Sequence, residues 1–257
     1  MSYSRRAAIY EVEYQDTRDV PFVLSLLQGG VSRVIEAPCG AGRLSRHLAP
    51  RLAALDVIDL EPGMVARAVN AARSASATCQ VTGHVQDMRD ITLDSRADLA
   101  ILPREGLQLV PPEDGKRVLA SLARYLVPGG VIFVDLARFC HSKGAPDPDY
   151  FRPCQADGRA SLDWSRKLPD GGILHRSSSH RDEGGSLVFD LTYVQESVAT
   201  QKWSSQMRIF RYSIDWLEAS APPGTRLEKL YGAYDRTPPG PASRRILALF
   251  RKAFDTT

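Results

Sequence analysis

Residues 34–43, VIEAPCGAGR, place the carboxylate of Glu36 at the end of a short apolar run, with Gly40 and Gly42 just beyond it. Glycines one residue apart let the backbone approach a ligand that side chains would exclude. Three chemistries compete for such a turn. A phosphate-cradling loop needs Gly-Lys followed by Ser or Thr, and Arg43 and Leu44 follow Gly42 instead. A dinucleotide fingerprint, G-x-G-x-x-G/A, fits Gly40 and Gly42 but meets Ser45 at its third position. Glu36 would also face a pyrophosphate with like charge. A ligand with a positive group and no phosphate reverses that sign. Two more acids follow. Asp59 ends the run LDVID, roughly 20 residues past the turn, where an acid can accept from ribose hydroxyls. Asp87 lies in VQDM. Each acid also has a plainer role open to it. Glu36 could pair with Arg33 or Arg43, Asp59 could cap the helix that begins PGMVARA, and Asp87 could be a turn residue before Arg89 and Asp90.

Acids in such a row need strand tips to hold them, and the chain supplies a matching alternation. Residues from about 6 to 29 read as helix, ended by Gly29-Gly30. Short apolar strands then alternate with amphipathic helices: VSRVIEA, AGRLSRHLAPRL, LDVIDL, PGMVARAVNAARSA, CQVTGHVQDM, DLAILP, PEDGKRVLASLARYL and VIFVDLARF. This pattern predicts an α/β fold, a parallel sheet with helices on both faces and the strand-end loops along one edge. After about residue 140 the pattern changes. HSKGAPDPDYFRPCQADGR reads as loop, while ILHRSSSHRDEGGSLVFDLTYVQES and KWSSQMRIFRYSI alternate apolar and polar positions around a Gly184-Gly185 hairpin turn. IDWLEASAP reads as a helix, and RLEKLYGAYD and RRILALFRKAF as closing strands, the last one apolar enough to be central. The expected organisation is a cap and ligand-binding core over 1–140, an antiparallel insertion over 141–212, and a closing helix and strands over 213–257.

With YLVPGG before VIFVD, four features stand in order over residues 34–136. Together they resemble the class I S-adenosylmethionine-dependent methyltransferases, whose methyl donor carries an ammonium and a sulfonium and no phosphate. The resemblance implies a Rossmann-like seven-stranded, mostly parallel sheet with an antiparallel insertion after strand five. It implies a cofactor set of Tyr14, Glu36, Ala37, Gly40, Gly42, Arg43, Asp59, Leu60, Met64, Asp87, Met88, Pro103 and Arg104. In that set Asp87 would accept from the adenine amino group, with Met88 beside the ring. Pro38 and Arg43 depart from the family's commoner small residues. The N-terminal YEVEY, with Tyr10 and Tyr14, and the insertion resemble the small-molecule branch of glycine N-methyltransferases and amino-sugar N,N-dimethyltransferases. There a tyrosine segment covers the cofactor and the insertion roofs the acceptor.

Methyl transfer from a sulfonium mainly needs alignment and exclusion of water; a base matters only where the acceptor must first lose a proton. The expected catalytic residues are Tyr10, Glu105 and His141, and the substrate contacts Arg104, Glu105, Arg176, Trp203 and Arg211. Glu105 could hold an ammonium acceptor and Arg104 a carboxylate, or the two could pair with each other. The two histidines of HRSSSHR are five apart and face opposite sides of a strand, against a metal pair. The roof arginines and His141 could equally be solvated surface. An amine nitrogen is the first expectation, O-methylation of a hydroxyl or carboxylate the second, and a non-catalytic cofactor-binding subunit a third.

Bulk properties narrow the partners. A net charge of +3 is too small to argue for nucleic acid. Neither a basic tract nor an NPPY-like tetrapeptide follows strand four, where LPREG stands. Long apolar spans and a signal-like N-terminus are both missing, so membrane contact is not expected. Cys39, Cys79, Cys140 and Cys154 show no CxxC spacing and read as free thiols in a reducing cytoplasm, with no metal. An exposed roof hairpin is an edge through which a homodimer could form.

Overall fold

The computed structural model describes residues 9–138, 160–197, 200–241 and 243–254. His141, Cys140 and Cys154 lie outside the described residues. The chain divides into two units. One comprises Arg138–Arg211, and the other Tyr3–Ala137 with Tyr212–Thr257.

The larger unit is a seven-stranded sheet with helices. In chain order its elements are α1 (Val20–Ser25), β1 (Arg33–Glu36), α2 (Ser45–Leu48), β2 (Ala54–Asp59), α3 (Pro62–Ala75), β3 (Gln80–Val85), β4 (Ala97–Leu102), α4 (Pro112–Arg124) and β5 (Leu126–Ala137). The smaller unit supplies β6 (Ser161–Lys167), β7 (Ile173–Asp182), β8 (Ser186–Glu196) and β9 (Gln201–Phe210). The larger unit resumes with α5 (Ile214–Ala219), β10 (Thr225–Tyr231) and β11 (Arg245–Lys252). The sheet order is β10-β11-β5-β4-β1-β2-β3, with β11 antiparallel to both its neighbours and the other pairings parallel.

Both residue parities of the central strands are buried. Leu55, Val57, Leu99, Ile101 and Phe133 join Phe22, Val23 and Leu48 in one apolar cluster. Ile58, Ala100, Leu102, Ile132 and Val134 are equally buried. A strand covered on both sides must be apolar at nearly every position, which is why β4 and β5 read as mostly apolar runs, interrupted by Asp98 and Asp135. In this topology the chain order reverses between β1 and β4, so the loops after these two strands open a crevice at the carboxyl edge.

Three sequence expectations need correction. The helix expected over 6–29 is a helical turn at 9–13 and the separate α1, with a non-helical link between them. That link lets Asp16 and Asp19 turn inward, as described below. The helix expected over AGRLSRHLAPRL is α2 plus a 3-10 turn, Ala49–Arg51, because Pro50 has no amide to continue an α-helix. The stretch SLDWSRK, not expected as a strand, is β6, so the smaller unit is a four-stranded antiparallel sheet. The Gly184-Gly185 turn does join β7 to β8.

Candidate functional site

The turn after β1 is pinned to both neighbouring strands. The Ala37 amide donates to Ile101 O (3.0 Å) and the Cys39 amide to Ile58 O (2.8 Å). Gly40 N donates to Asp59 Oδ2 (3.0 Å), joining the tips of β1 and β2 through a carboxylate. Gly42 has φ +81°, and a Cβ there would lie 2.6 Å from Ala68 Cα. Glycine is required at that point because α3 packs directly on the turn. Gly40 faces the opposite neighbour: a Cβ on it would fall 2.7 Å from Tyr10 Oη. Tyr10 packs with Ala41 and Met64, and its ring centroid lies 4.4 Å from that of Tyr14.

Glu36 sits beneath this turn, 1% exposed, and accepts a hydrogen bond from Ser45 Oγ (2.6 Å). Burial pushes its carboxyl up to about 8, against the lowering effects of Ser45 and Arg43. Neither suggested ion pair forms: Arg33 pairs with Asp56, and Arg43 with Asp19. Asp59 is raised as well, by burial, although the Glu61 and Gly40 amides donate to it. Two carboxyl groups held above their ordinary range at adjacent strand tips form a place that favours a cation or hydroxyl donors. Leu60, next to Asp59, is exposed at 66%, an apolar surface beside a polar tip. Asp87 differs. Arg89 grips both its oxygens and donates its backbone amide at 2.9 Å, holding the carboxyl below its usual range. Its carboxylate thus ties a turn together, with Met88 half-buried at its side.

The loop after β4 carries Pro103, Arg104 and Glu105. Arg104 and Glu105 have φ values of +32° and +51°, the left-handed region that costs non-glycine residues energy. Each is tethered by charge to a residue distant in the chain. Arg104 Nη2 meets Asp16 at 2.6 Å and its Nε approaches Asp19 at 3.3 Å. Glu105 accepts from Arg245 Nη2 at 2.6 Å, while Arg245 Nε donates to Asp135 at 2.7 Å. Tyr234 Oη donates to the other Asp135 oxygen at 2.7 Å.

In the smaller unit Arg176 is 1% exposed and pairs with Asp163 at 2.9 Å, with Ser178 Oγ donating to the same carboxylate. Its charge is thereby balanced within the sheet. Arg211 pairs with Asp182. Trp203 stacks on Tyr193, centroids 5.4 Å apart. His175 and His180 differ in register parity, as expected; His175 Nδ1 meets Ser165 Oγ at 2.7 Å, and burial lowers the His180 pKa. No group of three metal-ligating side chains occurs among the described residues.

Asp19, Asp135, Tyr234 and Arg245 escaped the sequence reading. Their partners lie far away in the chain, up to 140 residues for Arg245 and Glu105, and only the fold brings them together.

Residues 34–130 match the profile of the family described as methyltransferase domain. Among curated proteins, Nodulation protein S of Rhizobium tropici is 28% identical over 116 residues, 45% of this chain and 48% of that protein. Ubiquinone biosynthesis O-methyltransferase of Xanthomonas oryzae pv. oryzae is 31% identical over 114 residues, 44% of this chain and 46% of that protein. The matched part spans about half the length of these relatives. An S-adenosylmethionine-dependent methyltransferase from Clostridium acetobutylicum superposes with a TM-score of 0.75 at 14% identity, covering 98% of this chain and 99% of that one. DesVI of Streptomyces venezuelae gives 0.72 at 20%, covering 97% and 98%. The sugar N-methyltransferase KedS8 of a Streptoalloteichus species gives 0.71 at 16%, covering 99% and 94%. The fold is therefore the Rossmann-like methyltransferase fold.

Proposed function

We propose that this chain, whose residues 34–130 match a methyltransferase-domain family, moves the methyl group of S-adenosylmethionine to a small molecule, with an amine nitrogen as the first acceptor class. The observation that carries the reading is the pair of carboxyl groups, buried Glu36 and half-buried Asp59, at adjacent strand tips around the Gly40 turn. The residues fit the donor molecule chemically. Glu36 suits its ammonium, Asp59 its ribose hydroxyls and exposed Leu60 its adenine ring. When bound, the donor supplies a methyl on a sulfonium that is already activated. This chain's part is to align the acceptor and exclude water. Tyr10, resting on Gly40, Ala41 and Met64, suits the excluding role. Asp87, gripped by Arg89, would serve the adenine only through an oxygen that it shares with that guanidinium.

A second reading, O-methylation, draws support from the Xanthomonas relative, a ubiquinone biosynthesis O-methyltransferase. The amine reading draws on KedS8, described as a sugar N-methyltransferase. A neutral amine needs no base, so it makes the smaller demand on this site. No described helix is long and apolar enough to cross a membrane.

Calorimetry with S-adenosylhomocysteine and with NADH tests the donor, and binding of NADH alone would reject it. A mass-spectrometric screen of amines, hydroxyls and carboxylates for a 14-dalton gain tests the acceptor. Products confined to oxygen would reject the amine.

A further inference from the structure

Asp19 precedes α1 and belongs to none of the sequence motifs, yet it is buried at 0% exposure. Arg43 holds it with both terminal nitrogens, at 2.8 and 2.6 Å. Arg104 Nε approaches the same carboxylate at 3.3 Å. Arg43 also donates to the Asp16 backbone carbonyl at 3.1 Å, and Arg104 to the Asp16 carboxylate at 2.6 Å. Three segments meet here: the link before α1, the glycine turn and the loop after β4. The carboxylate of Asp19 touches both arginine side chains, whereas that of Asp16 meets Arg104. Asp16 is less enclosed, with 20% of its side chain exposed, and shares its charge with Arg18.

The Asp19 carbonyl accepts from Val23 N at 3.0 Å, but its carboxylate spends no hydrogen bond on the helix. The residue stands at the N-cap of α1 with no side-chain capping contact, although Asp is a favoured cap. The loop it reaches through Arg104 has two successive non-glycine residues at positive φ, a conformation that persists only where the surroundings hold it. We infer that Asp19 is a positioning residue: it locks the glycine turn and the β4 loop to one another, so that the donor-binding and acceptor-facing loops keep a single mutual geometry. The roles of the two loops rest on the methyltransferase reading, whereas the coupling between them does not.

The test uses the full-length protein as wild type, Asp19→Asn, Asp19→Glu and Asp16→Asn. Hydrogen exchange is followed over residues 39–48 and 103–108 without ligand, and S-adenosylhomocysteine binding by calorimetry. Asp19→Asn should speed exchange in both segments by at least about tenfold, since local opening no longer breaks the shared pair. It should weaken binding by at least about tenfold, the cost of leaving two buried cations short of a partner beside the site. Asp19→Glu, which keeps the charge, should recover most of both effects. Asp16→Asn should loosen residues 103–108 only. A fall in melting temperature without a rise in exchange in both segments would overturn the coupling. Should Asp19→Asn not fold, Asp19→Glu decides alone: a rise in one segment without the other overturns the proposal. A wild-type protein that ignores S-adenosylhomocysteine would reject the methyltransferase reading while the exchange comparison still decides the coupling.

Discussion

A carboxyl group taken out of water keeps its proton to higher pH unless a cation stands beside it. Glu36 is such a group: burial sets it at about 8, with Ser45, Arg43, Asp19 and Asp59 around it. In the unfolded chain it would ionise near 4.5. Between those values the folded protein holds a proton that the unfolded chain has released, so its contribution to stability declines as pH rises through the window. Glu36→Gln cannot ionise. Its stability relative to wild type should therefore improve by about 4–5 kcal/mol from pH 4.5 to 8 and then level off. Urea unfolding of both proteins across that range measures the difference, and a flat difference would show that Glu36 is already ionised. The same substitution should weaken S-adenosylhomocysteine binding, because an ammonium placed beside Glu36 would draw the carboxyl into its ionised form and an amide has no such form. Asp59 accepts from two backbone amides as well as offering itself to a ligand. Asp59→Ala should cost about 1–3 kcal/mol of S-adenosylhomocysteine affinity by calorimetry.

At the level of elements, the glycine turn shows how packing selects a residue. α3 lies against Gly42 so closely that an alanine Cβ would meet Ala68 Cα at 2.6 Å, and φ there is +81°. Neither conflict is relieved by rotating a side chain. Gly42→Ala should destabilise the protein by about 2–4 kcal/mol, combining left-handed strain with overpacking, as measured by denaturant unfolding. This turn was legible in the sequence because its acid, glycines and flanking strand and helix are contiguous. So were β1, β2, β4, β5 and β11, whose burial on two faces demands mostly apolar sequence, while the exposed edge strand β3 was legible from its place after a helix. Two features were not. β6 has the mixed pattern SLDWSRK, whose Asp163 is buried only because Arg176 and Ser178 of β7 satisfy it. The charges Arg43, Arg104 and Glu105 looked available for ligands, since the sequence does not reveal that Asp19, Asp16 and Arg245 fold back to meet them. Asp87 was legible as a strand-end acid, but its partner Arg89, two residues on, was the nearer claimant.

For the whole molecule, the decisive relation is how the larger unit accommodates a break in its chain between Ala137 and Tyr212. Both ends of that break are fixed to one short 3-10 turn, Leu107–Leu109. The Gln108 side chain, 1% exposed, accepts from Ala137 N at 2.7 Å and donates to Ala137 O at 3.1 Å. Tyr212 Oη donates to Leu107 O at 3.2 Å and Val110 O at 2.9 Å, and its ring meets Trp216 edge-on at 4.6 Å. The chain therefore leaves and re-enters the larger unit at one place, where a brief connection can close the gap. The sheet order needs nothing from the smaller unit, since β10 and β11 return to pair beside β5. Replacing residues 138–211 by a short Gly-Ser linker should thus leave a cooperatively folding protein that binds S-adenosylhomocysteine within about threefold of the intact chain, a difference under about 1 kcal/mol. If the insertion carries acceptor recognition, that shortened protein should no longer methylate any compound the intact chain accepts. Circular dichroism, calorimetry and the methylation screen applied to both proteins separate the outcomes. Retained methylation would place acceptor recognition in the larger unit, at the loop of Arg104 and Glu105. Loss of cooperative unfolding would mean that the break at Ala137 and Tyr212 is not closed by the 3-10 turn alone.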